Sequence, residues 1–179
     1  MSDSSHLSQP VAASRSLFEE KLKLFLHELR SRKWTIGFAE SCTGGLLSSE
    51  LTKISGVSDI YLGAVVSYAN SVKVHLLNVS PLSLESFGAV SQMVAQEMAH
   101  GACQSLASDC SIAITGIAGP TGGSVEKPVG TVFIAVQTPQ QKQVQKFFFQ
   151  GDRGQIQQQT VVAALELFLQ TCHNIKSSK

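Results

Sequence analysis

Trp34-Thr35-Ile36-Gly37-Phe38-Ala39-Glu40-Ser41-Cys42-Thr43-Gly44-Gly45-Leu46-Leu47 runs from an apolar stretch through a polar turn into residues at helical spacing. Trp34 to Ala39 predicts a short buried strand, and Leu47, Leu51 and Ile54 predict a helix that begins just after the two glycines. The stretch therefore reads as strand, tight turn, helix N-terminus. Upstream, Phe18, Leu22, Phe25 and Leu29 fall on one face of a first helix, while residues 1–14 are Ser-rich and aperiodic and read as a disordered tail. Downstream, Tyr61 to Ala69 predicts a second strand, and Asn70 to Asn78 a short helix closed by Pro81. Ser91 suits the N-cap of an Ala-rich helix with Ala95, Ala99, Ala102 and Leu106 on one face.

A third strand, Ser111 to Thr115, enters a glycine- and proline-bearing stretch, Gly116 to Gly123, whose composition demands a shaped loop. Thr131 to Val136 and Val144 to Phe149 read as a hairpin around Pro139, and Asp152 caps a final helix through about Phe168. Helices interleaved with strands, plus one hairpin, imply a layered α/β domain with a mixed sheet. The expectation is a single domain over residues 15–174, a three-layer α/β/α sandwich, followed by a tail at 175–179.

Composition narrows the function. The 179 residues are 43% hydrophobic and 15% charged, with 14 Lys and Arg against 13 Asp and Glu. A net charge of +1 carries no polyelectrolyte signal, so neither nucleic acid nor an acidic membrane is an expected partner. No window approaches the roughly 20 apolar residues that span a bilayer, and Met1 to Ser14 does not read as a signal peptide. The expected location is the cytoplasm. Cys42, Cys103, Cys110 and Cys172 show neither a C-x-x-C pair nor metal-ligand spacing, so no metal is expected.

Several residues could carry chemistry. Ser41 at a strand-to-helix turn is well placed for attack, and amides at such a helix start can hold a phosphate or an oxyanion. The nucleophile elbow needs glycine two residues before and after the serine, and Ala39 and Thr43 stand there instead. Ser41 or Thr43 also suits a plain helix cap. Lys73, one turn into the helix after Asn70, can act as the base that a histidine-free serine hydrolase needs if burial lowers its pKa. Tyr68 can relay a proton between serine and lysine, or pack with its hydroxyl at the rim. No histidine is well placed for a triad. Thr115 and its glycine loop resemble a phosphate cradle in composition without matching a Walker loop. Arg153 can fork onto a phosphate or simply sit in a charged first turn. Cys42, intrinsically the better nucleophile, offers a rival cysteine hydrolase.

Six ordered stretches resemble one family, the CinA carboxy-terminal domain and its stand-alone nicotinamide-nucleotide amidases. They are Ala39 to Gly45, Tyr68-Ala69-Asn70 with Lys73, Gly88-Ala89-Val90-Ser91, Thr115 to Pro120, Glu126 to Val132, and Gly151-Asp152-Arg153. The resemblance implies hydrolysis of the carboxamide of nicotinamide mononucleotide to nicotinic acid mononucleotide and ammonia. It implies a homodimer, and no cofactor, since each step is acyl transfer. Carried over by position, Ser41 is the nucleophile and Tyr68 and Lys73 its activating residues. Thr43, Gly44, Gly45, Asn70, Thr115, Gly116, Gly119 and Arg153 line the substrate site. Larger relatives carry a further amino-terminal domain that this chain is expected not to contain. The alternative reading is a non-catalytic nucleotide-binding or regulatory module associated with competence or DNA damage, which has no need of Ser41 and Lys73 together.

Overall fold

A computed structural model of the chain describes residues 9–177. Helix α1 (Gln9–Arg32) leads to β1 (Ile36–Glu40), α2 (Leu46–Thr52), a 3-10 turn at Val57–Asp59 and β2 (Tyr61–Val66). Helices α3 (Asn70–Leu77), α4 (Pro81–Phe87) and α5 (Gln92–Leu106) follow, then β3 (Cys110–Gly116), β4 (Thr131–Gln137), β5 (Lys142–Phe148) and α6 (Arg153–Ser177). The five strands form one sheet in the order β2-β1-β3-β4-β5. β1 is parallel to β2 and β3, whereas β3-β4 and β4-β5 are antiparallel. Helices α1, α2 and α6 cover one face, and α3 and α5 cover the other. The mixed sheet and the three α/β/α layers are those expected from the pattern.

Side-chain size divides the two faces. Ile36, Phe38, Ile112, Ile114, Val132, Ile134 and Val136 point toward α1 and α6, where Phe25, Leu29, Leu165 and Phe168 complete the larger core. Phe25 and Phe168 meet edge to face with centroids 4.8 Å apart, a favoured aromatic geometry. The alternate strand positions carry small residues: Ala39, Ala113 and Ala135 are register partners in a row across β1, β3 and β4. Against that row lies the alanine face of α5, with Ala95, Ala99 and Ala102 buried. Small facing small brings α5 close to the sheet, so that Ser111 Oγ donates to the Ala99 carbonyl at 2.6 Å.

Among the element boundaries that differ from expectation, four have a local reason, and β2 ends at Val66 rather than Ala69. Gln9–Ser14 belong to α1, because Pro10 is tolerated in a first turn and the Ala12-Ala13 pair favours helix; residues 1–8 of the expected tail lie outside the described residues. Ile54 is exposed beyond the end of α2. Pro81 opens α4 rather than merely closing α3, its fixed φ suiting the first helical position. α6 continues past Phe168 to Ser177, since no glycine or proline interrupts it after Gly154. Ser91 caps α5 as expected, accepting from the Val94 amide. No helix among the described residues is long and apolar enough to cross a membrane.

The chain leaves β1 through α2 on one face and returns to β3 through α3, α4 and α5 on the other. Such a change of face opens a crevice at the carboxyl ends of the parallel strands. Helix α3 is held at that end by close packing against α5. A Cβ at Gly101 of α5 would fall 1.9 Å from the Leu77 carbonyl oxygen, where only a backbone shift makes room. Gly101→Ala is therefore expected to lower stability by about 1–3 kcal/mol through overpacking. A denaturant midpoint unchanged within error would show that α3 does not need this contact.

Candidate active site

Glu40 ends β1 with a side chain wholly removed from solvent. A buried carboxylate needs donors, and Glu40 takes four. Its oxygens accept from the amides of Gly45 (3.1 Å), Leu47 (3.1 Å) and Ser48 (2.9 Å) and from Ser48 Oγ (2.8 Å). Tyr61 Oη donates in turn to Ser48 Oγ at 2.7 Å. This result corrects the expectation that the α2 amides are open to a phosphate or oxyanion. The protein's own carboxylate fills that seat, and the Gly45 amide is turned inward to it.

The turn between β1 and α2 is drawn around that carboxylate. The Gly44 amide donates to the Ser41 carbonyl (3.1 Å) and the Leu46 amide to the Thr43 carbonyl (3.1 Å), while the Ser41 amide reaches Ile114 of β3 (3.1 Å). Gly44 and Gly45 have φ of 63° and 98°, left-handed values that other residues adopt only under strain. Nothing lies within 4 Å of a Cβ built on Gly44, so its side of the turn is open. Among the described residues, the amides of Cys42 and Thr43 donate to no other residue.

Ser41 and Lys73 meet inside this turn. Lys73 is 1% exposed, and its Nζ lies 3.1 Å from Ser41 Oγ, 2.5 Å from the Ser67 carbonyl and 3.5 Å from the Tyr68 carbonyl. Burial pushes its pKa below the ordinary lysine value, the nearby Cys42 thiol opposing it. Tyr68 is 65% exposed, and its hydroxyl accepts from the Arg153 guanidinium (3.3 Å). The Tyr68 hydroxyl is turned to Arg153, and Ser41 and Lys73 are in direct contact, the arrangement that a direct proton transfer needs and a relay through Tyr68 does not. Only the Tyr68 backbone adjoins the lysine.

Arg153 opens α6 and spans two loops. It donates to the Gly119 carbonyl (2.8 Å) as well as to Tyr68, so both of its hydrogen bonds go to neutral oxygens. Asp152 accepts from the Gln155 amide (2.8 Å) and its amide donates to Gln155 Oε1 (2.8 Å), a reciprocal cap that fixes this helix start. Thr115, expected to face the substrate, is buried and donates to the Ala89 carbonyl (2.8 Å) instead. At Gly116 a Cβ would meet Val132 and the Thr131 carbonyl, so this glycine serves strand packing. Asn70 stands exposed at the first position of α3. A surface cleft of about 310 Å³ bounded by Leu77, Gln96, Glu97, His100 and Lys142 shares no residue with this cluster.

Two contributors escaped the sequence reading. Glu40 stood within the quoted turn without an assigned task, although a carboxylate beside a helix start is a known partner for its amides. Gln157 Nε2 donates to the Cys42 carbonyl (2.8 Å) from α6. Its one visible signal was the four-residue spacing from Arg153, which places both on one helix face. Cys42 itself is buried among these groups, and burial pushes its thiol up to about 12. A thiol held neutral is a poor nucleophile, which weighs against the rival cysteine hydrolase.

Fold and site define an α/β domain with a serine–lysine pair at the carboxyl ends of its parallel strands. Comparison with known proteins gives the family. The family model described as CinA C-terminal domain matches residues 19–172, and the chain belongs to that family. It is 50% identical over 145 residues to a CinA-like protein from Syntrophobacter fumaroxidans, covering 81% of this chain and 34% of that one. Identity to a putative competence-damage inducible protein from Alkaliphilus metalliredigens is 43%, covering 78% and 34%. The chain thus spans about a third of the length of these relatives. Among solved structures, the competence/damage inducible protein CihA from Agrobacterium tumefaciens superposes with TM-score 0.83 at 36% identity, covering 87% of this chain and 95% of that one. A competence-damaged protein (CinA) superfamily protein from Escherichia coli gives 0.82 at 37%, covering 86% and 89%.

The raised Cys42 pKa has a direct readout. With a value of about 12, only about one thiol in 10,000 is ionised at pH 8. Iodoacetamide at pH 8 should leave Cys42 unmodified in the folded protein and alkylate it in denaturant, as read by peptide mass mapping. Native-state alkylation at the rate of a free thiol would restore the cysteine reading.

Proposed function

We propose that this protein is a serine amidohydrolase that converts nicotinamide mononucleotide to nicotinic acid mononucleotide and ammonia. One observation carries the chemistry: a buried lysine amine 3.1 Å from the hydroxyl of a serine that is itself largely buried, in a turn whose Gly44 side is open. The other neighbours of Nζ are the carbonyls of Ser67 and Tyr68, which only accept. A neutral amine has two N–H bonds and one lone pair. With its N–H bonds on the two carbonyls, the lone pair is left for Ser41. The substrate assignment comes from the resemblance in the quoted motifs.

In this mechanism Lys73 takes the Ser41 proton as Oγ attacks the carboxamide carbon, giving a tetrahedral oxyanion. The C–N bond then breaks and the nitrogen leaves as ammonia with the proton returned by Lys73. Water attacks the ester, Lys73 takes a proton from it, and Ser41 is regenerated as nicotinic acid mononucleotide departs. Lys73 faces Ser41 without an intermediary, so the lysine alone shuttles the proton. Arg153, exposed and hydrogen-bonded to two neutral oxygens, is the donor suited to the substrate phosphate.

Ser41→Ala is expected to abolish ammonia release while leaving the melting temperature unchanged. Retention of more than about a tenth of the wild-type rate, a barrier change under about 1.4 kcal/mol, would remove Ser41 as nucleophile. The neutral form of Lys73 is the active one. Activity should therefore rise with pH along a limb whose midpoint lies below the ordinary lysine value of 10.5. Lys73→Arg, which keeps its charge and accepts no proton, should be nearly inactive; normal turnover in that variant excludes lysine as the base.

The phosphate assignment is tested by comparing kcat/KM for nicotinamide mononucleotide and nicotinamide riboside, which lacks the phosphate. Arg153→Ala should weaken the nucleotide and change the riboside little. Equal losses on both would place Arg153 in service of the amide or of the fold.

A further inference from the structure

The serine–lysine pair supplies a nucleophile and a base, but attack on a carboxamide also creates an oxyanion that needs preorganised donors. The α2 amides of Gly45, Leu47 and Ser48 are committed to Glu40, and the Ser41 amide to Ile114. Within the turn, the amides of Cys42 and Thr43 remain. The Thr43 amide belongs to the peptide plane whose carbonyl is that of Cys42. In a planar trans peptide the C=O and N–H point in opposite directions. Gln157 of α6 anchors the Cys42 carbonyl at 2.8 Å, so the Thr43 N–H is turned away from α6. The bond between the Gly44 amide and the Ser41 carbonyl makes Ser41 the first residue of a four-residue turn. Ser41 and Thr43 lie two residues apart in that turn, a spacing that puts a serine hydroxyl and the later amide in the same neighbourhood, and the Thr43 N–H is not taken by Ser41 Oγ, whose hydrogen bond is to Lys73.

We infer that Gln157 is a positioning residue, which aims the Cys42–Thr43 peptide so that the Thr43 amide holds the oxyanion. The inference rests on the serine hydrolase reading of Ser41. Arg153 and Gln157, four residues apart on one face of α6, then divide the work: the arginine serves the entrance and the glutamine the reacting centre. A glutamine is suited to the second task because its amide donates to a carbonyl without adding a charge that would attract the phosphate into the turn.

The test uses two variants, Gln157→Glu, nearly isosteric but with no proton to donate at neutral pH, and Gln157→Met, which is neutral and lacks the donor. Two measurements are made on each at pH 8. The first is steady-state ammonia release from nicotinamide mononucleotide, separated into kcat and KM. The second is the rate of covalent labelling by a fluorophosphonate, in which a bond forms from Ser41 Oγ to phosphorus, fluoride leaves, and Lys73 takes the hydroxyl proton. Labelling needs the nucleophile and the oxyanion donor but not the natural substrate. A donor acting only on the transition state changes kcat and not KM.

The expected result is a ~10- to 100-fold fall in both kcat and labelling rate, with KM within about twofold and wild-type melting temperature in at least one variant. Labelling within about twofold of wild type in a folded variant, or a loss confined to KM, overturns the inference. A wild-type enzyme that labels at Ser41 but releases no ammonia from the mononucleotide overturns the substrate reading, while the labelling rates still decide the role of Gln157. Absence of labelling at Ser41 in the wild type overturns both.

Discussion

A carboxylate with no access to water must be met by hydrogen-bond donors, and Glu40 meets that demand by gathering the first amides of α2 around itself. The rest of the site depends on this one cluster. Because both carboxylate oxygens are occupied by Gly45, Leu47 and Ser48, the chain between β1 and α2 must close in a tight turn. Ser41 is buried in that turn, its hydroxyl against Lys73. Tyr61 and Ser48 extend the cluster to β2, so the strand that leads to Lys73 is tied to the strand that leads to Ser41. Removing one partner of such a buried network leaves the others unsatisfied, a larger cost than the net worth of any single bond.

The second constraint is size. The Lys73 pKa is lowered because the side chain is buried, and it is buried where α3 lies close against α5. That approach is possible only where Gly101 leaves room for the Leu77 carbonyl and where α5 presents alanine to the alanine row of the sheet. The large residues of the same strands point the other way, toward α1 and α6. One sheet thus carries a thick core on one side and a thin, closely approached layer on the other. The thin layer is the one that brings an amine to a hydroxyl. Desolvation and proximity, the two requirements for a lysine base, come from the same packing.

Helix α6 ties the pieces together at the entrance. Its first turn is set by the reciprocal bonds of Asp152 and Gln155, and from it Arg153 reaches Gly119 and Tyr68 while Gln157 reaches Cys42. Three separate loops, those after β1, β2 and β3, therefore meet one helix. Side chains on successive turns of a helix are held more rigidly than side chains on loops, so α6 acts as the reference against which the three loops are set.

Much was legible in the sequence because it depends on local periodicity and local turn chemistry. The strand-turn-helix at Trp34 to Leu47, the amphipathic face from Phe18 to Leu29, the Ser91 cap and the hairpin around Pro139 follow from residue spacing alone. The pairing of Ser41 with Lys73 was also anticipated, through a resemblance carried by motifs spread along the chain. What only the tertiary structure decided concerns groups distant in sequence that compete for the same partners. Nothing local shows that Glu40 would take the α2 amides, that Tyr68 would turn its hydroxyl to Arg153 rather than to Ser41, or that Thr115 would bond to Ala89. The burial that neutralises Cys42 and lowers the Lys73 pKa is likewise a property of surroundings assembled from several elements. Periodicity determines which face of an element is buried, but the orientation of a polar side chain is settled by which donors and acceptors the fold brings within about 3 Å of it.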